Sequence, residues 1–234
     1  MVAGGLVAGT GLTLGGAAPA VAAPRTVPMW EQYPPGTKPA TPQAAEQLLF
    51  DVNHRWLVEG QVHPREDSVA RNQAATLSQH PWAMIVGCID SRVPPELIFD
   101  QGLGDLFVVR TAGQVLDEAV YGSTTYAAKQ SSVKLIVVLG HEKCGAVNEA
   151  ISVLDTPPGP DYSPRLKFLT EAIKPAIPPV GTPDRTNLTV NQNVRLIRNK
   201  LMAETAIADR IAAGTLNVIG ARYELSTWIA TKVT

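Results

Sequence analysis

Two short segments of the chain contain the side chains best suited to bind a metal. Cys88 and Cys144 are its only cysteines, and His141 precedes Cys144 by three residues. Zinc takes cysteine sulfur and histidine nitrogen in tetrahedral geometry, and a site with three protein ligands leaves one position for water or substrate. The alternative is a disulfide, but each cysteine lies near another potential ligand, Asp90 or His141. The pattern therefore favours a catalytic zinc site over a disulfide.

The segments around these residues alternate between strand and helix patterns. Short apolar runs predict four strands, and apolar positions three or four apart predict three helices. The predicted strands are 82–87, 107–109, 135–139 and 216–219, and the predicted helices are 44–57, 118–133 and 194–213. The proline-rich segment 156–183 is predicted to be a loop. Such alternation predicts an α/β domain with a mainly parallel central sheet, flanking helices and an N-terminal helical arm.

A parallel sheet brings both metal-binding segments to one place. Cys88 follows the first predicted strand and His141 follows the third. Catalytic groups in such sheets gather beyond the carboxyl ends of the strands. The two segments are therefore expected to meet at one edge of the sheet.

Bulk composition limits the classes of function. A length of 234 residues with 45% hydrophobic residues is consistent with one globular domain, which we place at residues 44–234. The formal charge of −1 and the absence of a long basic run argue against a nucleic-acid partner.

The N-terminal region differs in composition from the rest. Residues 1–24 carry no charged side chain and are rich in glycine, which disfavours a stable membrane span. The small residues around Ala22 resemble a signal-peptidase site, so we predict export with cleavage near Ala22. No positive residue precedes the apolar stretch, and the alternative is a disordered tail on a cytoplasmic protein. Residues 25–43 are predicted to be a proline-rich linker.

Four stretches closely resemble the β-class carbonic anhydrases. They are 88–96 (CIDSRVPPE), 99–105 (FDQGLGD), 110–113 (RTAG) and 141–146 (HEKCGA). The resemblance extends from about Ala44 to about Ala221. It implies a hydro-lyase that converts carbon dioxide reversibly to bicarbonate and a proton by attack of zinc-bound hydroxide, with Zn²⁺ held by Cys88, His141 and Cys144.

The resemblance implies two states of Asp90. In the active form this carboxylate forms a salt bridge with Arg92 and water takes the fourth zinc position, whereas in the closed form Asp90 itself binds zinc. An arginine can hold a carboxylate through two hydrogen bonds, so Asp90 and Arg92 are predicted to act as a gate. Two thiolate ligands partly neutralise the metal, so activity is predicted to rise on the alkaline side.

Three further expectations follow from the same resemblance. Gln79 matches a glutamine that hydrogen-bonds substrate in some members, although a turn residue fits this position equally well. Arg110 matches an arginine of an inhibitory bicarbonate site, but Ile85 replaces the tryptophan of that site. The family forms homodimers or larger homo-oligomers in which an N-terminal helix embraces the partner.

Other functions remain open at this point. Relatives of these enzymes hydrolyse carbonyl sulfide or carbon disulfide on the same fold, and the Asp90 and Arg92 pair does not separate the two activities. A zinc-stabilised binding module without catalysis would keep Asp90 as a permanent fourth ligand. The other histidines, at positions 54, 63 and 80, are interpreted as surface or packing residues.

Overall fold

A computed structural model describes residues 38–234 together with Met1. The rest of the predicted export segment and residues 25–37 of the predicted linker lie outside the described residues. Among the helices of the described part, none is long and apolar enough to cross a membrane.

One five-stranded sheet forms the centre of the described domain. Its strands are β1 Ala83–Cys88, β2 Leu106–Thr111, β3 Leu135–His141, β4 Asn217–Tyr223 and β5 Ala230–Val233. The order is β2-β1-β3-β4-β5, with the first four strands parallel and β5 antiparallel to β4. Apolar side chains fill β1 and β3 on both faces, as expected for strands covered by helices on each side. The predicted α/β fold with a mainly parallel sheet is confirmed.

Eight α-helices surround this sheet in residues 38–234. They are α1 Pro42–Leu57, α2 Ser68–Thr76, α3 Pro95–Ile98, α4 Glu118–Lys129, α5 Gly145–Asp155, α6 Pro164–Ile173, α7 Arg185–Met202 and α8 Thr205–Ala212. Short 3₁₀ turns occupy Ala112–Gln114 and Lys174–Ala176. One apolar core lies between α1 and one face of the sheet, and a second lies between the other face and α4, α7 and α8.

The N-terminal helix packs on its own chain. Its side chains Leu48, Leu49 and Val52 are buried in the core beside β1 and β3. At its end, Arg55 forms a buried ion pair with Asp100 at 2.6 Å. The predicted arm is therefore an integral layer of the domain, and it begins at Pro42, two residues inside the predicted linker.

Helix α7 lies close to the carboxyl half of β3 and β4 because two glycines leave room for it. A Cβ atom added at Gly140 or at Gly220 would lie 2.6 Å from a methyl group of Val194. His141 follows Gly140 directly. The contact between Gly140 and Val194 therefore helps to set the position of the end of β3, which carries this predicted metal ligand.

Two predictions about the second half of the chain are wrong. Segment 156–183 was predicted to be a loop but contains α6. Its prolines are compatible with a helix because Pro164 occupies the first turn, where the missing N–H has no partner to lose, and Pro175 follows the end of the helix. The predicted helix 194–213 is two helices, α7 and α8, separated at residues 203–204. Helices α2, α3 and α5 and strand β5 were also not predicted.

Candidate metal centre

Two neighbouring strand ends and one helix start position the predicted ligands. Cys88 is the last residue of β1 and His141 is the last residue of β3, and these parallel strands pair directly. Cys144 is the residue before α5. The turn between His141 and Cys144 is tight because Lys143 adopts a left-handed conformation with φ of 55°. The predicted meeting of the two segments at one sheet edge is observed.

The side chains of Cys88, His141 and Cys144 form a buried cluster. Their candidate ligand atoms all lie within 4.8 Å of one another, and the two sulfur atoms are 3.9 Å apart. Both cysteines are free thiols, so the disulfide alternative does not describe this structure. Tetrahedral zinc with Zn–S bonds of about 2.3 Å places two sulfurs roughly 3.8 Å apart, close to the observed spacing.

His141 is oriented with one ring nitrogen toward the sulfurs. Its Nδ1 lies 2.9 Å from the backbone oxygen of Glu142, and since a carbonyl only accepts, Nδ1 carries the proton and donates. Nε2 is therefore a lone-pair donor, and it is buried without a hydrogen-bond partner. A backbone carbonyl that fixes the tautomer in this way is typical of metal-binding histidines.

The two thiols have opposite acid–base behaviour. A hydrogen bond from the Cys144 thiol, with another from the Gly113 N–H, lowers the pKa of Cys88 to about 4 despite its burial. The pKa of Cys144 is raised, because its thiol donates to the Cys88 sulfur, is buried, and would ionise beside an existing negative charge. Two thiolates this close repel each other, so without a cation the pair keeps one proton.

Asp90 forms an ion pair with Arg92 beside the cluster. Nε of Arg92 donates to Oδ1 at 2.9 Å and Nη2 donates to Oδ2 at 2.7 Å. This pairing lowers the pKa of Asp90 to about 2. Oδ2 nevertheless lies only 3.8 Å from Nε2 of His141. The carboxylate is thus next to the cluster while both of its oxygens are bound by arginine.

The backbone around Cys88 is supported by residues whose roles were not predicted. Arg110 donates from Nε to the carbonyl of Cys88 at 2.7 Å and from Nη2 to the carbonyl of Asp90 at 2.5 Å. The Gly113 N–H donates to the Cys88 sulfur, and the buried Asn193 donates to the Gly113 carbonyl at 2.8 Å. Arg110 therefore positions the loop after β1, and Asn193 positions the turn that contacts the sulfur.

A cavity of about 320 Å³ reaches the cluster at Cys88 and is also lined by Asp90. Its walls come from the loop after β1, the turn after β2, and helices α5 and α6. The lining side chains are mostly apolar and belong to Cys88, Ile89, Asp90, Ala112, Ala146, Glu149, Leu166, Leu169 and Thr170. The cavity is therefore suited to a small, weakly polar molecule.

Gln79 lies at the other edge of the sheet. It precedes the amino end of β1 and lines a separate cavity with Lys38, Arg65 and His80. A six-residue strand is roughly 20 Å long, so Gln79 does not contact the cluster of its own chain. Its role in binding substrate stays a prediction.

Comparison of this chain with known proteins finds related sequences. The family model described as "Carbonic anhydrase" matches residues 83–229. A carbonic anhydrase of Mycolicibacterium smegmatis is 39% identical over an alignment of 196 residues that covers 80% of this chain and 91% of that protein.

Solved structures show the same fold at lower identity. A Coccomyxa β-carbonic anhydrase in complex with acetazolamide superposes with a TM-score of 0.62 at 23% identity, covering 79% of this chain and 84% of that one. A tetrameric β-carbonic anhydrase of Sordaria macrospora gives a TM-score of 0.61 at 22% identity, covering 81% and 96%.

Proposed function

The chain belongs to the β-class carbonic anhydrases, a family of hydro-lyases, and we propose that it hydrates carbon dioxide reversibly to bicarbonate and a proton with one Zn²⁺ ion. One observation carries the proposal. Two thiols and an unpartnered imidazole nitrogen converge in a buried cluster, and one of its members, Cys88, lines a mostly apolar cavity.

Cys88, His141 and Cys144 are the proposed zinc ligands. The spacing of the sulfurs and the orientation of Nε2 fit a tetrahedral ion with three protein ligands and one position left for water. When bound, zinc supplies a hydroxide nucleophile, because it lowers the pKa of water from about 15.7 toward 7. Charge donation by two thiolates weakens this effect.

Asp90 and Arg92 are the proposed gate. With both carboxylate oxygens held by Arg92, Asp90 stays off the metal and is placed to accept a hydrogen bond from an attacking water. Arg92 also donates to the backbone oxygen of Lys143, so the guanidinium bridges the two segments that carry the ligands. Arg92 therefore connects the proposed gate to both segments that carry the proposed zinc ligands.

The apolar wall favours carbon dioxide as substrate. Ile89, Leu166 and Leu169 face the cavity beside the cluster. A small uncharged molecule loses little hydration on entering such a space, whereas a charged one loses much more. Carbonyl sulfide and carbon disulfide share this property, so an assay with all three substrates is needed to rank them.

A non-catalytic zinc module is the second candidate that the sequence left open. It requires Asp90 as a permanent fourth ligand, which would close the site. The two hydrogen bonds from Arg92 to Asp90 and the open cavity favour the catalytic alternative.

The direct test is carbon dioxide hydration by the purified protein across pH, with zinc content measured in the same preparation. We expect about one zinc ion per chain and activity that rises on the alkaline side, because two thiolates reduce the acidity of metal-bound water. Protein that contains zinc but lacks activity at high pH would contradict the proposed function. Full activity well below neutral pH would contradict the assignment of two thiolate ligands.

Zinc binding is expected to release about one proton per ion at neutral pH. The pKa of Cys88 is about 4, so this residue is already a thiolate, while the raised pKa of Cys144 keeps its proton until the metal displaces it. Calorimetric titration of metal-free protein in buffers of different ionisation enthalpy measures the number. Release of two protons per zinc ion, or of none, would contradict the interpretation that Cys88 and Cys144 together keep one proton in the metal-free protein.

We also propose a homodimer or larger homo-oligomer, and export of the mature chain. β2 is an edge strand, and Tyr126, which packs edge-on against Phe107 of β2, is 52% exposed. These features leave an apolar surface for a second copy. Sedimentation of the mature chain and detection of cleavage near Ala22 in secreted protein test the two statements separately.

A further inference from the structure

The hydration reaction produces a proton that must leave the cavity. In the overall reaction an O–H bond of water breaks, its electron pair stays on the oxygen that joins carbon dioxide, and the proton passes to a base. Groups that already bind the metal are poor acceptors. Any relay must therefore be another side chain that lines the cavity and also reaches solvent.

Three polar side chains other than that of Cys88 line this cavity in the described structure, those of Asp90, Glu149 and Thr170. Both oxygens of Asp90 already accept hydrogen bonds from Arg92. The Thr170 hydroxyl donates to the carbonyl of Lys167 and is not a base at neutral pH. Glu149 is the remaining candidate.

Glu149 is placed between the cavity and bulk water. It lies on α5, one turn after Gly145, and both residues line the cavity that contains Cys88 and Asp90. The residue is also exposed, so a proton taken from the cavity side can pass to buffer on the outer side. The site therefore has a carboxylate at its mouth that the Asp90 and Arg92 gate does not use.

Tyr162 fixes the orientation of this carboxylate. Its hydroxyl donates to Oε1 of Glu149 at 3.0 Å. Tyr162 belongs to the segment before α6, which forms the opposite wall of the cavity. Within the described part of the chain, no side chain donates to Oε2, which leaves that oxygen available to water.

We propose that Glu149 relays the proton of the hydration reaction from the cavity to solvent, and that Tyr162 is its positioning residue. The inference rests on the proposed hydration of carbon dioxide. The carboxylate accepts the proton through a water molecule, passes it to a buffer base and returns to its starting state. Protons and charge balance in each turnover without a further reagent.

The test compares Glu149→Gln, Tyr162→Phe and the control Glu171→Gln at low and high buffer concentration. Glu171 is an exposed carboxylate on α6 that is paired with Lys174 and does not line this cavity. At low buffer, kcat of Glu149→Gln is expected to fall about tenfold. This loss is below the about 10²- to 10⁴-fold that a positioned acid or base contributes, because water carries part of the proton flow.

Three further readouts separate a relay from a structural role. For Glu149→Gln, kcat/KM and zinc content should stay at the wild-type value, and added imidazole buffer should restore kcat. The solvent deuterium isotope effect on kcat should increase at low buffer. Tyr162→Phe should show a smaller loss with the same rescue, and Glu171→Gln should match the wild type throughout.

The possible failures are distinguishable. An unchanged kcat of Glu149→Gln at low buffer would overturn the relay. Equal losses in kcat and kcat/KM without buffer rescue would also overturn it, because they indicate damage to the site. Wild-type protein that binds zinc but does not hydrate carbon dioxide would instead refute the proposed function on which the relay rests.

Discussion

Serine in place of Cys144 is expected to leave the purified protein with little or no zinc and to lower carbon dioxide hydration by more than about 100-fold. Loss of a residue that merely supports a ligand costs about 10- to 100-fold, and loss of a ligand costs more. A serine hydroxyl does not ionise at neutral pH, so the remaining ligands would be Cys88 and His141. Two ligands do not hold zinc in the tetrahedral geometry that the cluster fits.

Metal analysis and cobalt substitution measure this effect directly. Zinc content per chain should fall to a small fraction of the wild-type value. Cobalt added to wild-type protein should give thiolate-to-metal charge-transfer absorption, and Cys144→Ser should lose at least half of it. Urea unfolding of both proteins after chelator treatment is the control, since metal-free wild type and variant should then be similarly stable. A folded variant that retains zinc and activity would refute the ligand assignment.

The cluster of Cys88, His141 and Cys144 was predictable because local patterns and one topological rule suffice to place it. Cys88 and His141 each follow an apolar run that reads as a buried strand, and parallel strands end at a common edge. Cys144 is three residues after His141, so a tight turn brings it to the same edge of the sheet. None of these steps requires side-chain packing, so the sequence alone was sufficient.

The residues that position the cluster were less predictable because they come from distant parts of the chain. Asn193 contacts the Gly113 carbonyl across 80 positions, and nothing near either residue indicates the contact. Tyr162 lies in a proline-rich segment that was predicted to be a loop, yet the helix that follows it forms a wall of the cavity. Proline at the first turn of a helix resembles proline in a loop when only composition is considered.

The predicted role of Gln79 in substrate binding is not decided by the contacts of a single chain. Its spacing from Cys88 matches that in some relatives, but nine residues along an extended segment lead to the opposite edge of the sheet. A shared position in sequence therefore does not establish a contact within one chain.

Replacing Arg92 with alanine is expected to lower carbon dioxide hydration by about 10- to 100-fold while zinc stays bound, as for loss of a residue that orients the groups around a metal. Without the guanidinium, both oxygens of Asp90 lose their strongest hydrogen-bond donors. Oδ2 already lies 3.8 Å from Nε2 of His141, so a small rotation brings the carboxylate into the space beside the ligands. The pKa of Asp90 should also rise from about 2, since the pairing with Arg92 is the largest cause of its depression.

A second substitution decides whether Asp90 blocks the metal in that variant. If it does, adding Asp90→Ala to Arg92→Ala removes the competitor and should raise hydration above that of the single variant, although below wild type because the orienting carboxylate is gone. Arg92→Lys keeps the charge but loses the two-pronged geometry, so its activity should fall between those of wild type and Arg92→Ala. Zinc content and cobalt absorption serve as controls for an intact cluster. If the double variant is no more active than Arg92→Ala, Asp90 is an orienting group alone and the gate is refuted, because a blocking carboxylate is the one group whose removal can restore activity.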